Sequence, residues 1–142
     1  MSVGTGGAQS NGASVGEAVS AGGRLVASTS NATDLVPGAT AAAAQVYLRN
    51  FATGRTVLLS KDGAGIEGRG SVDSFGLGMS GDGGEVVFGS AAPNLVPGHG
   101  NGADDVFVHD GRAGVTRLVG RSSAGAQGNG TSGFGVISAD GR

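Results

Sequence analysis

The sequence predicts an all-β chain of tandem four-stranded antiparallel units, two complete and a third begun, about 2.4 units in 142 residues. Three observations predict it. The tetrapeptide Leu35-Val36-Pro37-Gly38 recurs as Leu95-Val96-Pro97-Gly98, sixty positions later. Residues 14–60 and 74–120 align without a gap and agree at sixteen of 47 positions, among them Ser20/Ser80, Gly23/Gly83, Val46/Val106, Gly54/Gly114 and Leu58/Leu118. Residues 7–24 and 125–142, a constant 118 apart, agree at ten of eighteen. A long period made only of short apolar runs and turns is the mark of a repeat architecture.

Each full copy carries four strand-like runs. In the second they are Phe75–Ser80, Glu85–Gly89, Asp105–Asp110 and Val115–Val119. Asp82-Gly83 joins the first pair, where Gly supplies the positive φ of a tight hairpin, and Gly111 to Gly114 joins the last pair. The longer middle loop runs from Ser90 to Asp104, and inside it Val96-Pro97-Gly98-His99 has Pro and Gly where a type II turn needs them. Four antiparallel strands in a meander make one propeller blade. The first strand of each copy has the smallest side chains, which suits the crowded position nearest the axis. The chain therefore divides into a blade at 1–60 with an N-terminal connector at 1–13, a blade at 61–120, and a connector with the first strand of a truncated blade at 121–142.

Composition sets limits on function. Charged residues make up 14% and net charge is −2, with no basic patch to neutralise phosphates, so a nucleic-acid partner is not expected. With no Cys, disulfides, thiolate nucleophiles and Cys-bound zinc are excluded. No run approaches the roughly eighteen apolar residues of a membrane-spanning helix, so membrane insertion is not expected. Met1 to Gly7 lack the positive region and apolar core of a signal peptide.

One polar cluster stands out. In the loop from His99 to Asp105, Asn101, Asp104 and Asp105 could supply oxygens to Ca²⁺, with Asn94 as a further donor. The first copy has Ala39 to Gln45 in that place and keeps almost no ligand. Against a metal stands a solvated turn in which Asn and Asp bond their own backbone. His99 and His109 are the only histidines, and no Gly-x-Ser-x-Gly elbow accompanies them. His109, next to Asp110 at a strand end, is expected to be an exposed cross-strand polar residue. Asp104 and Asp105 are adjacent, so on a strand they point to opposite faces and cannot act on one glycosidic bond. The Gly-rich stretches at 4–7, 81–84 and 125–130 lack the Lys-Ser/Thr of a phosphate loop and read as connectors and hairpin turns. The chain is expected not to be an enzyme in itself.

The frame Ser138 to Arg142, its partners Ser80 to Gly84 and Ser20 to Arg24, the apolar runs that follow, and Asp105-Val106-Phe107-Val108 with its hairpin resemble the TolB-type, WD-repeat-like blade. The Asn94-Leu95-Val96-Pro97-Gly98 loop is similar to one found in tandem in large bacterial propeller proteins. That resemblance implies a binding or scaffold module, periplasmic or extracellular, with an unidentified protein or surface ligand. It equally implies, as an alternative, the gating part of an enzyme such as a peptidase, with the catalytic residues outside these positions. Resembling repeats often carry Asp where His99 stands, which would make a better Ca²⁺ site. Closed propellers have about four to eight blades. The chain is therefore expected to be a fragment completed by further blades, or a short protomer closing a ring by homo-oligomer assembly.

Overall fold

The computed structural model describes residues 3–4, 6–40, 43–69, 77–133 and 135–142, with Gly16 and Glu17 described by backbone alone. Its regular structure is entirely β. The first sheet comprises β1 (Ser14–Val19), β2 (Leu25–Ser30), β3 (Gln45–Asn50) and β4 (Arg55–Leu58), and the second β5 (Gly78–Met79), β6 (Glu85–Ser90), β7 (Asp105–Asp110) and β8 (Val115–Leu118). Both run in sequential antiparallel order, so each is a meander of the blade type. The registers repeat with the sequence: Val26 faces Arg49 in the first sheet, and Val86 faces His109 in the second. β7 spans the predicted residues, β6 extends one further to Ser90, and β8 stops one short at Leu118. Phe75 and Gly76 of the expected first strand lie outside the described residues, as do Ala41 and Ala42 of the first copy's middle loop.

The turns follow from the residues at their corners. Gly83 has φ of 74° and Gly98 of 79°, conformations closed to most side chains. His99 N–H donates to Val96 C=O at 3.3 Å across Pro97-Gly98, the bond of the predicted type II turn. In the inner hairpins Ser20, Ser80 and Ser138 each accept twice. The carbonyl takes the amide of Gly23, Gly83 or Gly141 at 2.8, 2.8 and 3.0 Å. The hydroxyl takes the amide of Leu25, Glu85 or Arg142 at 3.1, 3.0 and 3.0 Å.

The third copy thus keeps its turn. Residues 135–142 join no ladder, and Phe134 of the expected strand lies outside the described residues. Residues 135–137 instead lie flat on the second sheet. A Cβ at Gly135 would collide with Val87 and come within 2.9 Å of Val106.

Successive copies are joined at the same position of each inner turn. Ala21 N–H donates to Gly81 C=O and Gly81 N–H to Ala139 C=O, both at 2.8 Å. The main core lies between the sheets. Ala27, Val46 and Leu59 of the first meet Val86, Phe88, Leu95 and Phe107 of the second, all buried. Phe88 and Phe107 stack with centroids 5.8 Å apart. Burying each such ring contributes about 1.5–3 kcal/mol, a large share where aromatics are so few.

Tyr47, the first copy's equivalent of Phe107, sits with Ala32 and Leu35 in a smaller cluster. Its buried hydroxyl has no hydrogen-bond partner among the described residues. Burial, aided by the Glu67 charge, pushes its pKa up to about 12. Removing an unsatisfied buried hydroxyl while keeping the ring relieves a desolvation cost. Tyr47→Phe is therefore expected to stabilise the chain by about 1 kcal/mol. Urea unfolding of the two proteins checks this, and a lower midpoint for the variant would show that the hydroxyl is satisfied in solution.

Candidate functional site

The middle loop of the second copy closes on Asp105, the first residue of β7. The type II turn at Pro97-Gly98 folds His99 back under the sheet, and Asn101 reverses the chain by accepting the Ala103 amide at 3.0 Å through Oδ1. The third connector, residues 121–128, brings Gln127 to the same place, its own turn fixed by the bridge between Arg121 and Gln127. Asp105 is fully buried. Its Oδ2 accepts from His99 Nε2 at 3.1 Å, Asn101 Nδ2 at 2.9 Å and Gln127 Nε2 at 2.9 Å. Asn101 Nδ2 also reaches Gly128 C=O at 3.0 Å. Asp105 Oδ1 is buried with no partner among the described residues.

His99 is spent in this network. Its Nδ1 lies 2.9 Å from Ala92 C=O while Nε2 faces the carboxylate, and the ring packs edge-on to Phe107. Both ring nitrogens are taken up by buried protein oxygens. The cluster is a buried imidazole–carboxylate contact with two amide donors added.

Burial pushes the Asp105 carboxyl up. Hydrogen bonds from Gln127, Asn101 and His99, with the His99 charge, outweigh burial and hold it below its usual value of 3.8. A depressed folded-state pKa gives stability that is complete above 3.8 and is lost as pH falls through the folded value. Urea unfolding from about pH 6 down to about pH 2 should show this loss, and Asp105→Asn should lack that component.

Of the residues expected to serve Ca²⁺, Asn101 and Asp105 come together and Asp104 supplies a backbone carbonyl to Ser132 N–H at 2.7 Å. Asn94 is elsewhere: its Nδ2 donates to Glu67 C=O at 3.1 Å and its Oδ1 accepts from Arg69 N–H at 2.7 Å. The amide of Asn101 turns its N–H₂, not its oxygen, towards Asp105. Among the described residues, no three His, Cys, Asp or Glu side chains converge as a metal ligand set.

The first copy builds the same joint from other residues. Gln45 replaces Asp105, donates through Nε2 to Gly68 C=O at 2.9 Å, and accepts from the Ser60 hydroxyl at 2.6 Å. In both copies, then, the buried polar residue that opens the third strand ties its blade to the connector leading onward. Sequence reading missed Gln127 and Gln45. The signal was the recurrence of Gln9, Glu67 and Gln127 at equal places in the three connectors.

His109 departs from expectation. It is 5% exposed rather than free at a strand end. The second connector at Lys61 to Gly63 and the loop at Leu95 to Pro97 enclose β7 and β8 there. Nδ1 bonds Thr116 Oγ1 at 3.0 Å. Burial pushes the imidazole pKa down, the Lys61 charge adds to this, and Asp110 opposes it. Asp110 Oδ1 accepts from the Arg112 and Ala113 amides at 2.9 and 3.0 Å, so it serves the hairpin and does not orient His109.

No protein-family model matches the chain. No curated protein matches it. Among solved structures, the crystal structure of TolB from Acinetobacter baumannii is similar over 75% of this chain and 21% of that one, with 14% identity and a TM-score of 0.48.

Proposed function

We propose that the chain is a non-catalytic binding or scaffold module, part of a longer bacterial β-propeller working at the cell envelope or outside the cell. One observation carries this reading: the polar side chains gathered at the start of each third strand join that sheet to the connector that follows. Gln45 to Gly68, Asn101 to Gly128, and Gln127 to Asp105 each link a sheet to the following connector. His99 has no nitrogen left to act as a base. The blade motifs shared with envelope propellers support the compartment. A propeller of this kind offers its loops and turns to a partner and uses its interior for rigidity.

The reading is tested by determining the coding sequence on both sides of these residues. Further copies of the sixty-residue unit, without a catalytic segment, are expected. An adjoining α/β segment with a Gly-x-Ser-x-Gly elbow would overturn it and make the blades the gating part of a hydrolase.

A further inference from the structure

Arg49 and His109 hold equivalent positions in the two blades and make different contacts. In the first blade Arg49 Nη1 spans from β3 to the connector, bonding Gly4 C=O at 3.0 Å and Thr56 Oγ1 at 3.1 Å. The second blade has His109 in that position, and the shorter ring reaches only Thr116. A groove of about 620 Å³ lies there, within the range of small-molecule sites. His109, Thr116, Leu95, Val96 and Pro97 are among its lining residues. Val115, 49% exposed, also lines it.

The charges around the groove are unbalanced in a chain whose net charge is −2. Lys61 and Arg121 both line it. The Arg121 guanidinium bonds the Gly125 carbonyl at 3.0 Å, and among the described residues neither it nor the Lys61 ammonium has an acidic partner. The nearby carboxylate of Asp62 is turned into its own loop, where Oδ1 accepts from the Ala64 and Ile66 amides at 2.9 Å each. Arg117, also at the groove, is paired with Glu85 at 3.3 Å. Aliphatic lining residues beside two cations without carboxylate partners among the described residues suit one ligand chemistry.

We propose that the groove binds a small carboxylate with an aliphatic body, its carboxylate at Lys61 and its chain against Leu95, Val96 and Pro97. The assignment does not depend on whether the longer protein is a scaffold or an enzyme. Two sources share this chemistry: a free monocarboxylate, and the C-terminus of a peptide ending in an aliphatic residue.

The two histidines make the test site-specific. Sodium hexanoate is titrated into the full chain while the ring Cε1–H signals are followed by NMR. A saturable shift of His109 is expected, with a Kd of about 1 mM, while the His99 signal stays still. Hexanol should leave both unmoved. Lys61→Met should weaken binding about fivefold, and Val115→Glu, at an exposed lining position, should abolish it. Val3 holds the place of Lys61 in the first copy, so an apolar residue there is compatible with the fold. A short peptide ending in Leu, as free acid and as amide, separates the sources. Binding of the acid alone assigns peptide C-termini, and binding of hexanoate without the peptide assigns free monocarboxylates. No His109 shift up to about 50 mM, an equal response to hexanol, or binding indifferent to both variants would overturn the proposal.

Discussion

Asp105→Ala is expected to lower the unfolding free energy by about 3–5 kcal/mol, more than any other single truncation of a polar side chain in this chain. The reason is the number of donors left behind. The carboxylate accepts from His99, Asn101 and Gln127 on one oxygen, in a place with no solvent exposure. Removing it strands two amide N–H groups and the His99 ring nitrogen in a buried place, each without its partner. A domain of this size has about 5–15 kcal/mol to lose, so the variant should melt about 10 °C lower or fail to fold. Gln127→Ala removes one donor and keeps the others, and should cost only about 1–2 kcal/mol. Urea unfolding of both variants measures the difference. Amide exchange at Ser132 and Gly100, which bond Asp104 and Gln127, should accelerate in Gln127→Ala, because the connector is then held less tightly. Equal losses in the two variants would mean that the network is not centred on Asp105.

What the sequence showed and what it hid divide along physical lines. Strands and turns are local: alternation within six residues, or a Gly with positive φ after Asp or Pro, announces itself in a short window. The repeat multiplied that signal, so β6, β7 and both kinds of turn fell where the spacing put them. The Asp105 network joins three segments, with Gln127 twenty-two residues beyond the carboxylate. The network sets the N–H₂ of Asn101 and of Gln127 against the carboxylate, an orientation that residue type alone does not determine. His109 was misjudged for a related reason. Its strand is the third of four in its sheet, and the connector that buries it departs from the preceding blade, near Lys61.

Gly120→Ser is expected to stabilise the chain by about 1 kcal/mol, and the first copy provides the reason. Ser60 occupies the equivalent position there, where its hydroxyl donates to Gln45 Oε1 at 2.6 Å and accepts from Val46 N–H at 2.9 Å. In the second copy both groups remain, as Asp105 Oδ1 and Val106 N–H, but Gly120 has no hydroxyl to stand between them. Asp105 Oδ1 is accordingly buried without a partner among the described residues. A Cβ added at Gly120 would lie 3.2 Å from that oxygen, so a small adjustment admits the side chain and brings a hydroxyl within bonding reach. The φ of Gly120 is not positive, so serine meets no backbone strain there. Gly120→Ala separates packing from hydrogen bonding: it adds the same Cβ against the carboxylate without a donor, and should be neutral or destabilising. The pair is compared by urea unfolding near neutral pH. Serine above wild type and alanine at or below it would establish that the second blade lacks the one hydroxyl by which the first completes its joint. Serine no better than alanine would mean that a buried water already fills the gap, since a bound water bridges such groups nearly as well as a side chain does.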